Sequence, residues 1–205
     1  RVNGIFNSEV SVGFELIENN DEIIFTDAET DPFEGNLDDE ILIEESQSVI
    51  DDVIGTENYD LGHTFGGGGS GLASTGPCQE GYKASGVTGG TEGDAFAVDY
   101  VAHEIGHQFS MDHTFNTNSD SCLKNRAGEA AFEPGAGTTI MSYNGLCNPD
   151  NIAQPQLQNN NSDPMFHSYS FEQAADYVAD AGAACGVVTD TGNTPPTVDA
   201  GKRYA

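Results

Sequence analysis

Apolar residues recur along this chain in helical and in alternating registers, and those registers predict its elements. Val2, Ile5 and Phe6 fall at i, i+3 and i+4, the spacing of the last turns of an amphipathic helix. Ser11–Ile17 alternates and then turns apolar, which predicts a strand. Asp21–Thr26 reads as a second strand before an acidic loop through Pro32 and Gly35. From Asp38 to Ile54 the residues Ile41, Leu42, Val49, Ile50, Val53 and Ile54 mark a helix with one buried face, stopped by Gly55. Strands follow at Tyr59–Phe65, Gly71–Ser74 and Tyr82–Val87, then a helix from about Asp94 to Phe109. Thr114–Gly137 is a long polar segment. A final helix starts near Ser170, where Gln173 completes a capping box, and ends about Gly182.

Two stretches break this pattern. Gly66–Gly71 holds five glycines and Ser70. It lacks the Lys-Ser/Thr of a phosphate-binding loop, so it reads as a flexible loop and not a nucleotide site. Beyond Val187 the chain turns rich in Thr, Gly, Asn and Pro, the texture of a linker.

Composition narrows the partners. The 205 residues suit one domain with a sizeable core, and 34 Asp+Glu against 6 Lys+Arg give a net charge of −28. Such a charge argues against nucleic acid or an anionic membrane as the main partner. No apolar run approaches the ~20 residues needed to span a bilayer. With no basic-then-apolar signal segment, charge alone leaves a cytosolic protein and a mature secreted one both open. Most of the acids read as a solvated coat. Asp21, Asp27, Asp31 and Asp38–Glu40 are the oxygen ligands on offer should Ca2+ bind. Cys78, Cys122, Cys147 and Cys185 form no CxxC pair. Their even count and wide spacing suit two disulfides and an oxidising compartment, with four free thiols as the alternative.

The chemistry is concentrated in one place. His103-Glu104-Ile105-Gly106-His107 is an HExxH, and His113 follows six residues later. At this composition a chance HExxH is expected about 0.01 times. At about 100° per residue, Val98, Val101, Ala102, Ile105 and Phe109 form one packing stripe. His103 and His107 sit together on roughly the opposite side, one turn apart, where both imidazoles can reach a single ion. If the helix ends soon after His107, the chain can swing back with His113. Three protein ligands leave zinc a fourth position for water, the mark of a catalytic site, and Glu104 stands beside them to take a proton. His63 and His167 read as structural.

These residues resemble the metzincin metallopeptidases, whose signature is HExxHxxGxxH with a later methionine turn. His103, Glu104, His107 and His113 match it, and Thr139-Ile140-Met141-Ser142-Tyr143 is similar to the turn. The resemblance implies Met141 beneath the zinc and Tyr143 as a transition-state stabiliser, a core tyrosine being the alternative. Gly71-Leu72-Ala73, then Gly76 and Cys78, is similar to the substrate-aligning edge strand of the reprolysin (adamalysin) branch, especially its bacterial secreted members. In that branch the matching cysteine pairs with one after the last helix, which implies Cys78–Cys185 and leaves Cys122–Cys147.

The fold so implied is α/β (α+β). It is a zincin-like domain with a twisted mixed five-stranded-type sheet flanked by helices, and an irregular C-terminal part carrying Met141. The implied function is a secreted, monomeric zinc endopeptidase acting on protein or peptide substrates, its pocket shaped by residues within Asn144–Phe166. A catalytically silent metal-dependent binding module is the rival, as is an adhesion domain with structural zinc or calcium.

The resemblance spans about Ser11 to Cys185, and there are two departures. Ser110 replaces the signature glycine, at a cost of about 1 kcal/mol if its backbone is left-handed. Arg1–Asn7 is similar only to the end of the family's first long helix, so the chain is expected to start inside the domain. Residues 1–186 are assigned to the catalytic domain and 187–205 to a linker. Pro196-Thr197-Val198-Asp199-Ala200-Gly201 resembles the opening strand of a PKD-type immunoglobulin-like module.

Overall fold

The computed structural model describes residues 1–90, 93–152, 162–194, 197 and 201. Helix α1 (Val2–Val10) buries Ile5 and Phe6 and ends where Ser11 turns left-handed, at φ 59°. Helix α2 (Asp39–Ile54) starts on Asp38, whose carboxylate accepts from the backbone N–H groups of Glu40 and Ile41, and it stops at Gly55 with φ 86°. Its buried face is Leu42, Ser46, Ile50 and Ile54. Asp38 supplies the cap and Gly55 the positive φ, so the predicted boundaries of this helix hold.

Three short strands make the sheet: β1 (Thr64–Gly66), β2 (Gly71–Ala73) and β3 (Gly86–Gly89). Their order is β1-β3-β2, with β1 parallel and β2 antiparallel to the central, fully buried β3. The sheet is mixed as expected but has three strands among the described residues, not five. Ser11–Ile17 forms no strand, and the Asp21–Thr26 region begins in a 3-10 turn at Asn20–Ile23. Their alternation serves burial instead. Val12 and Phe14 pack against the main core, and Ile17 and Ile23 pack against Ile50, Ile54, Tyr59 and Ala84. The strand predicted at Tyr59–Phe65 is shortened to its end, and that at Tyr82–Val87 is displaced to Gly86–Gly89.

The central helix runs without a break through α3 (Gly93–Ala95), a π-helical stretch at Phe96–Ala102 and α4 (His103–Gln108). Val98, Val101, Ala102, Ile105 and Phe109 are all buried in one cluster with Phe6, Met111, Ile140, Met141 and Phe166. The predicted stripe is thus the docking face. Helices α2 and α4 both pack on the sheet, α4 through Gln108, whose amide nitrogen donates to the Gly62 carbonyl (3.0 Å).

Beyond α4 the chain is mostly irregular. A two-strand pair, β4 (Phe115–Asn116) with β5 (Glu133–Pro134), is its main ladder. Disulfide Cys122–Cys147 ties the post-helix loop to the segment after Met141, in a small core with Phe115, Ala136 and Tyr143. Cys78–Cys185 joins the β2–β3 connection to the chain beyond the last helix. On a chain-entropy model, closures of this size contribute roughly 3–5 kcal/mol each.

That last helix, α5 (Ser168–Ala179), corrects the sequence reading. Its N-cap is His167, whose ring nitrogen accepts from Tyr169 N–H (3.1 Å), so Ser170 lies inside the helix and caps nothing. A neutral imidazole can cap because one nitrogen is an acceptor. The resemblance to an immunoglobulin-like module rests on residues 196–201, of which 196 and 198–200 lie outside the described residues.

Candidate metal centre

Helix α4 ends because Ser110 takes a left-handed backbone, φ 68°, and its N–H donates to the His107 carbonyl (2.9 Å). Met111 N–H then donates to Gly106 O (3.0 Å), so the chain doubles back along the helix. Three residues after Ser110, His113 faces His103 and His107. The family's glycine position is therefore left-handed here too, and Ser110 bears a cost of about 1 kcal/mol.

All three rings are held the same way. His103 Nδ1 bonds the Ile140 carbonyl, His107 Nδ1 that of Met111, and His113 Nδ1 that of Asn125, each at 2.7 Å. A carbonyl can only accept, so each Nδ1 carries the proton and each Nε2 carries a bare lone pair. The three Nε2 atoms lie 3.0, 3.1 and 3.2 Å from one another. Three lone pairs at this separation cannot bond one another and repel unless a cation lies between them. Nitrogens ~2.0–2.1 Å from one tetrahedral zinc ion are about 3.3 Å apart, so the triangle is ion-sized and slightly contracted. Carbonyl-oriented imidazoles are the usual outer support of such a site. Among the described residues this is the sole group of three or more ligating side chains that meets at one point. The acids considered for Ca2+ do not gather in this way among the described residues, and Asp27, Asp31 and Asp38 accept from backbone N–H groups two or three residues ahead.

Burial and mutual repulsion keep the rings neutral. His103 is held well below the ordinary histidine range by burial and then by its two neighbours. His107 is pushed down to about 3 by burial and then by His113, and His113 is lowered by burial. Neutral imidazole is the form that binds metal.

Glu104, 7% exposed, sits beside the triad and contributes no ligand atom to it. Burial, and then the like charge of Asp39, raises its carboxyl to about 8. A dication held by the histidines acts in the opposite sense. Gly71, the first residue of β2, lies against this carboxylate: a Cβ there would stand 2.5 Å from Glu104 Oε1. Leu72 and Ala73 complete β2, which among the described residues is an edge strand with its one ladder to β3.

Met141 is fully buried, and its sulfur packs on the helix at Gly106, where a Cβ would lie 2.5 Å from it. The backbone here is pinned to the ligands and their neighbours: Ile140 O accepts from His103 Nδ1–H, and Met141 O accepts from Thr114 N–H (2.9 Å), next to His113. The Tyr143 ring stands edge-on to His113, with centroids 4.6 Å apart, and tilted against His103 at 5.6 Å. Burial and then Glu104 raise its phenol to about 12. The structure thus brings His103, Glu104, His107, His113, Met141, Tyr143 and Gly71 into one neighbourhood.

A family model described as metallo-peptidase family M12B, reprolysin-like, matches residues 1–169. The chain belongs to this reprolysin-like family. No curated protein and no solved structure matches it. As a member of a family of zinc-dependent peptidases, the chain is a metallopeptidase with a three-histidine site fit for zinc. No helix among its described residues is long and apolar enough to cross a membrane.

Three supports of this reprolysin-like centre left little mark on the sequence. Glu133 is a buried carboxylate that accepts from Thr114 Oγ1 (3.0 Å), from the N–H groups of Thr138 and Thr139, and from the Thr139 hydroxyl. It braces the turn that leads into Met141. Gln173, read as a capping residue, bonds Asp112 twice, through its N–H at 2.9 Å and its carboxylate at 2.7 Å, next to His113. Gly106 matters for what it lacks. Only its position inside HExxH hinted at any of this. His63 and His167 remain outside the centre, as expected.

Proposed function

We propose that this reprolysin-like metallopeptidase is a secreted zinc endopeptidase, with the zinc held by His103, His107 and His113 and with Glu104 as its general base and acid. The observation that carries the reading is the convergence of three Nε2 lone pairs beside a buried, non-ligating carboxylate. A site that only stores metal has no use for such a carboxylate, which disfavours a silent binding module.

When bound, zinc supplies Lewis acidity, making a water easier to deprotonate and a scissile carbonyl easier to attack. Glu104 accepts that water's proton and later returns it to the departing amine nitrogen. The free side of β2, Gly71 to Ala73, takes the substrate backbone as an added strand, which fits extended peptides within longer chains. Tyr143, protonated at neutral pH, donates a hydrogen bond to the oxygen of the carbon under attack. Met141 shapes the floor. Two disulfides match an oxidising compartment and support secretion.

The test is Glu104→Ala in folded protein holding one zinc per chain. Hydrolysis of casein or a quenched peptide should fall at least about a thousandfold, and a chelator should abolish it in the parent. Undiminished hydrolysis by the zinc-loaded variant would sink the mechanism.

A further inference from the structure

The glycine run between β1 and β2 is packed, not loose. Gly67 N–H donates to Asn36 O (2.7 Å) and Gly89 N–H to Ser70 O (2.6 Å). A Cβ on Gly66 would stand 2.6 Å from Leu42 Cδ2, and one on Gly68 would stand 3.1 Å from Asp39 Oδ1. Gly66 to Gly68 therefore lie close against the start of α2 and the residues before it, while Gly69 faces open space. Glycines permit this approach but cannot hold it, having the greatest backbone freedom and no side chain to anchor. Ser70 is the one residue between Gly66 and Gly71 with a side chain, and its hydroxyl donates to Asp39 Oδ2. Asp39 stands in the first turn of α2, where free backbone N–H groups favour a carboxylate. Its Oδ1 is buried and takes no hydrogen bond among the described residues, so Ser70 is the partner that orients the group.

The next residue is Gly71, whose α-carbon face abuts Glu104. A displacement of Ser70 thus moves the wall against which the Glu104 carboxylate rests. We propose that Asp39 and Ser70 are positioning residues for the peptidase reaction: their hydrogen bond fixes the glycine run, and through Gly71 it fixes the place of the Glu104 carboxylate. This rests on the reading of Glu104 as the proton-transfer group. Neither residue is one of the three metal-ligating histidines, and because the charge of Asp39 also acts on Glu104 directly, Ser70→Ala, which leaves that charge in place, is the deciding variant. Misplacing a reacting group by about 1 Å can cost ~100-fold in rate, and partial loosening costs less.

The experiment compares zinc-loaded parent, Ser70→Ala, Asp39→Ala, the double variant and Ser70→Thr on one quenched peptide, with zinc content and Tm measured for each. Each alanine variant should lose about tenfold in kcat with KM within about twofold and zinc at one per chain. The double variant should be no slower than the slower single variant, and Ser70→Thr, which keeps the hydroxyl, should recover most of the rate. Ser70 is exposed, so its variant folds even if Asp39→Ala does not. Unchanged kcat in Ser70→Ala, multiplying losses in the double variant, or a loss explained by missing zinc or a fallen Tm would each overturn the proposal. A parent that is folded, zinc-loaded and inactive would overturn the peptidase reading itself, so the two failures are told apart by the parent alone.

Discussion

His107 donates its Nδ1 proton to the carbonyl of Met111, four residues further on, across the left-handed turn at Ser110. A metal ligand and the turn that brings back the third ligand are therefore one hydrogen-bonded unit. Whatever disturbs the turn reaches His107 and His113 together.

Ser110 is the first place to test that unit. Ser110→Gly should leave zinc affinity intact and raise stability by up to about 1 kcal/mol, since glycine accepts positive φ without penalty. Ser110→Val should lower stability by about 1–3 kcal/mol, because a β-branched residue fits that backbone poorly, and should weaken zinc binding as well. Urea titration and competition with a zinc indicator read the two effects. Full zinc affinity in a destabilised Ser110→Val protein would show that the turn and the ligands are independent.

Gly71→Ala should separate metal binding from turnover. The added Cβ would stand 2.5 Å from the Glu104 carboxylate, so the carboxylate must move while the three histidines stay bonded to their carbonyls. Zinc stoichiometry should be unchanged and kcat should fall about 100-fold. A variant with normal kcat would mean that Glu104 has another productive position.

His63 predicts how stability responds to acid. Its Nδ1 bonds Gln108 Oε1 (2.9 Å), and its Nε2 bonds the Thr88 hydroxyl (2.8 Å). The Gln108 amide nitrogen is committed to Gly62 O, so its Oε1 accepts and Nδ1 donates. In the neutral ring Nε2 then accepts from the Thr88 hydroxyl, which a protonated ring could use only as an acceptor. Burial pushes its pKa down to about 4 from 6.5. The unfolded chain therefore takes up a proton near pH 6.5 that the folded chain refuses until about pH 4, and stability falls as pH falls through that window. At ~1.4 kcal/mol per pH unit the loss across the whole window is at most about 3.5 kcal/mol. His63→Gln should flatten this part of the profile, read as the difference from the parent in denaturant midpoints at pH 7 and pH 4.5. Parallel profiles would rule out a His63 held neutral by the fold.

The metal centre was legible because its logic is local. His103 and His107 share a helix face at a spacing set by 3.6 residues per turn, and His113 needs one turn to reach them. Helix α2 was legible for the same reason, with Asp38 and Gly55 at its ends. Ser11–Ile17 misled because alternation shows which side chains are buried, not whether the backbone has a partner. The glycine run misled in the opposite way. Freedom in isolation became close packing once α2, β3 and Glu104 surrounded it. Glu133 and Gln173 act across the fold, 19 residues from Thr114 and 61 from Asp112 in sequence, and no periodicity marks such partners.

The Cys78–Cys185 bond turns the chain between those residues into a covalent ring, and all three histidines, Glu104 and Met141 lie on it. A ring must be cut twice before it releases a piece. An enzyme exposed to its own activity, or to that of neighbouring peptidases, can take a single nick anywhere from Gln79 to Ala184 and still carry its whole metal set in one molecule.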